Sequence, residues 1–291
     1  MATTATGQGS ATPGGTLTIG GDLVVNRLGF GAMRITGEGI WGDPPDRQAA
    51  LSVLRRAVEL GVTFIDTADS YGPEVSENLI AEALYPYPSG LVIATKGGLE
   101  RTGPGQWPRN ARPARLKAAC EASLRRLRLE RIDLYQLHWP DPRVPYEESV
   151  GALVELQREG KIRHIGVSNV DAALLARARA LATVVSVQNP FNLSSRQNED
   201  VLATCERDGL AFMPYFPLAA GPLTQPGGAL DSIAAAHGAT QGQIALAWLL
   251  RRSPVMLPIP GTSQVAHLEE NVAAAAITLS DREMATLSGQ P

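Results

Sequence analysis

An acid, a phenol, an ammonium and an imidazole stand at the ends of short apolar runs in this 291-residue chain. Asp66 closes Phe64-Ile65-Asp66 and is followed by Tyr71, Lys96 closes Ile93-Ala94-Thr95-Lys96, and His138 follows Gln136-Leu137. Only three of the 26 basic residues are Lys, at 96, 117 and 161, so a Lys where Arg is the habitual cation marks a position with its own chemistry. Taken singly each has a plainer role: a turn-starting Asp in DTADSYG, a loop phenol, a solvated strand end, a structural histidine. Nothing in those plainer roles would gather all four types at strand ends. Together they suit proton transfer to a carbonyl oxygen. Hydride addition leaves a developing alkoxide that an acid within hydrogen-bond reach must protonate. Tyr71 can be that acid, with Lys96 favouring its phenolate and bringing its pKa nearer working pH. Asp66 would compensate the lysine, and a neutral His138 would orient the carbonyl and stabilise its oxygen.

No protein side chain supplies hydride, so this chemistry calls for an organic donor, of which a nicotinamide is the obvious one. Ser168, Asn169 and Gln188 offer what a carboxamide requires, and Tyr215 offers a flat face for the ring. The stretch from Phe216 through Pro217 and Leu218 to Gly221 can pass along a pyrophosphate. Gly261 and Thr262, with a helix expected from about Gln264, make a second phosphate seat. No GxGxxG links the first strand directly to a helix, which argues against a Rossmann mode of binding.

These positions need a scaffold that brings distant strand ends to one face. Eight β-rich or buried runs occur at 28–32, 62–66, 91–95, 132–137, 164–168, 184–188, 211–215 and 255–259. Their spacing leaves room for a crossover helix after each. Asp46 and Gly61 bracket a helix carrying Leu51, Leu54 and Val58; Val150, Leu153, Val154 and Gln157 repeat the pattern before Gly160; Ser76 and Asp171 are expected caps; Gln241–Arg252 forms another amphipathic stretch. The fold class is therefore α/β, a (β/α)8 TIM barrel, with the alternation around Gly20-Gly21-Asp22 forming an N-terminal β-hairpin that closes the bottom. Residues 1–15 are expected to be a disordered tail and 16–291 a single barrel domain. The Gly- and Pro-rich connections 97–112 and 216–230 follow strand ends, where functional loops of a barrel lie.

Composition narrows the partners. Net charge is −3, with no basic patch evident, so neither nucleic acid nor an anionic membrane is expected. The longest apolar stretches fall short of the roughly 18 to 20 residues a membrane span needs. Residues 1–15 lack the basic start and apolar core of a secretory signal, so a cytoplasmic location is expected. Cys120 and Cys205 have neither disulfide-framework nor metal-ligand spacing and read as core thiols, so no metal site is expected.

NRLGFGAM (26–33), FIDTADSYG (64–72), ATKGG (94–98), LYQLHWPD (134–141), IGVSNV (165–170), VQNPFN (187–192), PYFPLAAG (214–221) and IPGTSQVAHLEEN (259–271) occur in one order. On these motifs the sequence resembles the aldo-keto reductases from Val25 to Leu287. The resemblance implies Tyr71 as the acid with Asp66, Lys96 and His138 in support, and nicotinamide contacts at Ser168, Asn169, Gln188 and Tyr215. It further implies adenosine-side contacts at Ser263, Gln264, His267, Glu270 and Asn271. Many relatives carry Lys and Arg where this chain has Gly261 and His267, positions that grip the ribose 2′-phosphate; NADPH is the expected cofactor, with NADH left open. Phe216 stands where a Ser is common.

VNRLGFGAMRITGEGIWGDPPDR and EALYPYP are similar to a bacterial branch containing pyridoxal reductases. The expected reaction is NADPH-dependent reduction of an aldehyde or ketone to an alcohol, with pyridoxal or another aromatic aldehyde as substrate. Trp41, Trp107 and Trp139 would wall such a flat ligand, Arg101 and Arg109 would meet an anionic one or remain solvated, and Trp248 belongs to the core. The chain is expected to act on a small-molecule carbonyl as a monomer or weak homo-oligomer. Two other readings stay open at this stage: a nicotinamide-binding redox sensor or regulatory subunit with little turnover, and Lys96 as a Schiff-base nucleophile, which would leave Tyr71, Ser168, Asn169 and Gln188 without a role.

Overall fold

A computed structural model describes residues 13–218 and 228–289. A hairpin opens the chain, with β1 (Thr16–Ile19) and β2 (Leu23–Asn26) antiparallel across the Gly20-Gly21 turn. Seven parallel strands then follow in sequential order around one curled sheet: β3 (Phe30–Gly31), β4 (Phe64–Asp66), β5 (Val92–Gly97), β6 (Ile132–Leu137), β7 (Ile162–Ser168), β8 (Val184–Pro190) and β9 (Ala211–Tyr215).

The eighth run, expected as a strand over 255–259, forms no regular strand but closes the barrel. Phe212 N donates to Val255 O (2.9 Å) and Leu257 N to Phe212 O (2.9 Å) on one side; Gly29 N donates to Pro258 O (2.9 Å) and Gly31 N to Pro260 O (3.2 Å) on the other. Pro254, Pro258 and Pro260 have no N–H to give, so the ladder on this segment stays fragmentary. The molecule is a (β/α)8 barrel.

Helices α1 (Arg47–Glu59), α2 (Val75–Leu84), α3 (Pro113–Leu127), α4 (Tyr146–Arg158), α5 (Ala172–Arg179) and α6 (Glu199–Asp208) return the chain between strands; α7 (Ala229–His237), α8 (Gln241–Arg252), α9 (Val265–Ala273) and α10 (Asp281–Leu287) follow β9 and the eighth segment. Asp46 caps α1 by accepting from Ala49 N at 2.8 Å, and Asp171 caps α5 by accepting from Leu174 N at 2.7 Å, each contributing about 1 kcal/mol. Ser76 is not a cap. It lies inside α2, buried, donating to Ala32 O at 2.9 Å and sharing a hydrogen bond with Thr67 Oγ1 at 2.8 Å, while Glu74 starts the helix in a left-handed conformation (φ 68°).

The hairpin shuts the N-terminal mouth because Ile19, Leu23 and Val25 pack among residues from the barrel interior, including Phe64, Val92, Leu134, Val185 and Ala211. Gly14 and Gly15 accept hydrogen bonds from Arg27, which ties the chain just before β1 to the barrel. With one end plugged by apolar side chains, polar residues at the strands' other ends face the remaining mouth. Cys120 and Cys205 are buried in α3 and α6, and burial pushes both thiols up to about 12. Trp248 is fully buried and stacks on Phe191. Among the described residues no helix is long and apolar enough to cross a membrane, and no group of three or more His, Cys, Asp or Glu is placed to hold a metal.

Candidate active site

Asp66 is the last residue of β4, Lys96 lies near the end of β5, His138 directly follows β6, and Tyr71 sits in the loop that leaves β4. Barrel curvature brings all four to the open mouth. Lys96 is fully buried, and its three ammonium donors are all directed: to Asp66 Oδ2 (2.6 Å), to the carbonyl of Thr67 (2.8 Å) and to the Tyr71 hydroxyl oxygen (3.3 Å). The phenol oxygen therefore accepts from Lys96, which leaves its own O–H free to donate outward. Gly72, at φ 101°, makes the turn after Tyr71; a Cβ there would lie 2.4 Å from the Val75 side chain, so only glycine fits.

The other carboxylate oxygen of Asp66 accepts from two buried amides, Gln136 Nε2 (3.1 Å) on β6 and Gln188 Nε2 (2.9 Å) on β8. The register sets Gln136 beside Lys96, and the curled sheet lets Gln188 on β8 reach Asp66 on β4 across the barrel. The amide nitrogen of Gln188 is thus committed to Asp66, leaving its oxygen for a ligand. Gln136 was not anticipated as a site residue. Its only sequence signal is a polar residue in step with Leu134, which packs in the barrel interior.

Burial pushes the Tyr71 phenol above its ordinary value of 10.0, and Lys96 offsets only part of that, so the expected net acidification does not hold. Burial also works against the Lys96 ammonium, but Asp66 and Tyr71 outweigh it and raise its pKa, keeping it charged. His138 is pushed well below 6.5 by burial and by the Lys96 charge, which makes it neutral at physiological pH. Its ring meets Tyr71 edge to face at 5.8 Å, and its Nδ1 lies 3.4 Å from Ser70 Oγ.

The residues expected to meet a nicotinamide form one connected group. Asn169, in the left-handed region (φ 59°), donates from Nδ2 to His138 O (3.0 Å) and to Ser168 Oγ (2.9 Å), while its Oδ1 accepts from the Tyr215 hydroxyl (2.6 Å). Ser168 accepts in that contact and keeps a hydroxyl proton to give; Gln188 and Asn169 keep acceptor capacity. With the half-buried Tyr215 ring beside them, these groups match a flat heteroaromatic ring bearing a carboxamide. Past β9, Phe216 (φ 51°) is exposed and meets the Tyr215 ring edge on, its carbonyl accepting from Asn192 Nδ2 at 3.1 Å; Pro217 is buried and Leu218 exposed. Gly221 lies outside the described residues.

On the far side, Gly261 packs so closely on β3 that a Cβ would lie 2.4 Å from Gly31 O. Thr262 is buried and its Oγ1 accepts from Gln264 N at 3.0 Å, just before α9. Ser263, Gln264, His267 and Glu270 are exposed there, and Asn271 is buried. One cation reaches this side from elsewhere: the Cγ of Arg34 lies 3.6 Å from where a Cβ of residue 261 would be, and Arg34 is exposed with no ion-pair partner among the described residues.

The three tryptophans separate. Trp107 stands edge to face against Tyr71 at 6.4 Å; Trp41 forms a β-bridge with Gly72, the residue after Tyr71; Trp139 lies under the guanidinium of Arg109 at 4.8 Å. Arg109 lines a surface groove of about 550 Å³ with Pro140, Asp141, Arg143 and Tyr146. Behind the site, Asp69 pairs with Arg115 (2.9 Å), and Glu77 binds Arg126 (2.6 Å) and Thr95 (2.6 Å), a buried network whose partners come from α2, α3 and β5. Burial, with the Glu77 charge, raises the Asp69 carboxyl to about 7.

A model of the aldo/keto reductase family matches residues 27–289. The chain is 53% identical to an uncharacterized oxidoreductase of Schizosaccharomyces pombe over 98% of its own length and 92% of that protein. It is 45% identical to the pyridoxine 4-dehydrogenase of Escherichia coli, over 92% of this chain and 96% of that one. Among solved structures, an aldo-keto reductase from Klebsiella pneumoniae in complex with NADPH superposes with a TM-score of 0.79 at 32% identity, covering 95% of each chain. A barrel with a polar mouth at its strand ends, together with these matches along nearly the whole length, shows that the chain belongs to the aldo/keto reductase family.

Proposed function

We propose that this chain is an NADPH-dependent reductase that converts an aldehyde or ketone to an alcohol, with Tyr71 as general acid. The observation that carries the reading is the 3.3 Å contact in which Lys96 Nζ donates to the Tyr71 oxygen. A reduced nicotinamide seated by Ser168, Asn169, Gln188 and Tyr215 would supply the hydride. Because Lys96 donates to the phenol oxygen, the O–H is free to turn to the mouth and bond a substrate carbonyl. As charge grows on that carbonyl oxygen, Tyr71 gives up its proton and the fixed ammonium stabilises the phenolate left behind. A raised phenol pKa keeps the acid loaded at neutral pH; the neighbouring ammonium lowers the cost of the phenolate once it forms. Asp66 holds the ammonium in place and balances its charge.

His138, neutral, is a second donor to the same oxygen. In the tautomer whose Nδ1 accepts from the Ser70 hydroxyl, 3.4 Å away, the ring's N–H is on Nε2 for the substrate. Arg34, Gly261 and Thr262 are assigned to the phosphates of the dinucleotide, and Ser263, Gln264, His267, Glu270 and Asn271 to its adenosine side. The kinship with a pyridoxine dehydrogenase and the aromatic surroundings of Tyr71 support pyridoxal or a similar aryl aldehyde as substrate.

The test is steady-state consumption of NADPH and NADH with pyridoxal, benzaldehyde and propanal. Turnover with NADPH, faster with the aryl aldehydes, is expected. Tight binding of NADPH without consumption by any aldehyde would replace this reading with that of a nicotinamide sensor.

A further inference from the structure

Arg101, in the loop after β5, spends every donor it has on backbone carbonyls. Its Nε donates to Gln106 O (3.0 Å), its Nη1 to Ile40 O (2.6 Å) and Ser70 O (3.0 Å), and its Nη2 to Gly39 O (3.0 Å) and Gly103 O (3.4 Å). A guanidinium carries five N–H groups in a planar fork, and five carbonyls receive them. No carboxylate pairs with Arg101 among the described residues. Its planar faces are used as well: the central carbon lies 3.6 Å from the centre of the Trp107 ring and 5.5 Å from that of Trp41.

The acceptors belong to three different loops. Gly39 and Ile40 precede α1, Ser70 lies between β4 and α2, and Gly103 and Gln106 lie between β5 and α3. All three loops reach the proposed acid or its neighbours in the chain. Ser70 immediately precedes Tyr71 and also approaches His138, and Gly72 immediately follows Tyr71 and is bridged to Trp41. Trp107, under the guanidinium, stands nearly perpendicular to the Tyr71 ring (81°) with ring centres 6.4 Å apart. Loops of this kind have few contacts of their own, so a side chain that joins three of them fixes the shape of the mouth.

We propose that Arg101 is a positioning residue that determines specificity: it locks three rim loops into one frame and holds Trp107 as a fixed aromatic wall beside Tyr71, selecting flat, uncharged aromatic aldehydes over small aliphatic ones. The inference rests on the reductase reading. It also assigns Arg101 no part in binding a substrate carboxylate or phosphate, because none of its N–H groups is left to bond one. Lysine cannot replace it, having three donors at a single point and no plane to lie on an indole.

The experiment compares kcat and KM of the NADPH-loaded wild type, Arg101→Lys, Trp107→Leu and the double variant with benzaldehyde and propanal. Arg101→Lys is expected to lower the benzaldehyde to propanal ratio of kcat/KM about tenfold, through KM for benzaldehyde rather than kcat, and Trp107→Leu to do the same. The double variant is expected to fall no further than either single one, since both changes remove the same wall. A Lys variant that keeps the wild-type ratio, or two losses that multiply, would overturn the proposal. Should the Lys variant fail to fold, an unchanged ratio in Trp107→Leu overturns it equally. In the wild type, 4-carboxybenzaldehyde is expected to gain nothing over benzaldehyde; a tenfold preference for the acid that disappears in Arg101→Lys would contradict the assignment. Wild-type enzyme that consumes NADPH with no aldehyde overturns the reductase reading and this inference together, whereas turnover with an unaltered ratio in the variants overturns this inference alone.

Discussion

Lys96 Nζ lies 2.6 Å from Asp66 Oδ2 with almost no solvent reaching either side chain. A buried pair of this kind gains little net stability, because desolvating two charges offsets their attraction, yet removing one partner strands the other. Its value here is positional: the carboxylate fixes the ammonium, and the ammonium fixes the phenol.

Single replacements of the pair should therefore be costlier than the double one. Asp66→Asn and Lys96→Met are each expected to destabilise the fold by about 3 kcal/mol in urea unfolding, and Asp66→Asn/Lys96→Met to recover much of that. Turnover should remain low in all three, since each loses the positioned ammonium or its anchor. Additive losses of stability would show that the pair is not coupled as described.

The pH dependence follows from two shifts of opposite direction. His138 is held well below 6.5, so its neutral form persists as pH falls toward 6, and Tyr71 is held above 10.0, so its proton persists as pH rises toward 9. The reductive kcat is expected to stay level between roughly pH 6 and 9 and to fall only above the ordinary phenol value of about 10. A titration midpoint near 7 in kcat that persists in Asp69→Asn would contradict these assignments, since Asp69 itself titrates at about 7 and its charge acts on Tyr71.

Asp69 should make stability depend on pH. Its carboxyl is raised from 3.8 to about 7 in the folded chain, so folding favours the protonated form, and that contribution is lost as pH rises from about 4 through 7. Compared with Asp69→Asn, which stays neutral, the wild type should lose about 1 to 3 kcal/mol of relative stability between pH 4 and pH 8. Urea unfolding of both at the two pH values measures it; a constant difference would remove Asp69 as the cause.

Arg34 offers a test of the phosphate side. Gly261 leaves no room for a side chain against Gly31, and Arg34 lies beside it. Arg34→Ala is expected to raise KM for NADPH by about tenfold and to leave KM for NADH within about twofold, the loss of one exposed charge-assisted contact to a 2′-phosphate. An equal rise for both dinucleotides would place Arg34 on the pyrophosphate instead.

Much of this molecule is legible in its sequence, for definable physical reasons. Period and punctuation located the strands, and the oddity of Lys96 in an arginine-rich chain drew attention to Asp66 and Tyr71. What escaped depends on distant partners. Ser76 has the composition of a cap, but its hydroxyl turns to Ala32 and Thr67, a choice made by packing. Gln188 has the composition of a ligand contact, and only the closure of the barrel commits its amide nitrogen to Asp66 on β4. The eighth strand was legible as a buried run, while its three prolines decide that it closes the barrel without a regular ladder. Arg101 was read as a solvated or substrate-facing charge; its five carbonyl partners come from three loops that sequence order does not bring together.

The most direct test of the central claim is a Tyr71→Phe variant examined with NADPH and an aryl aldehyde. Quenching of intrinsic tryptophan fluorescence by NADPH should persist with an affinity close to that of the wild type, while kcat falls by about a thousandfold, within the range a positioned general acid contributes. Reduction at an undiminished rate by a chain lacking that hydroxyl would contradict the account.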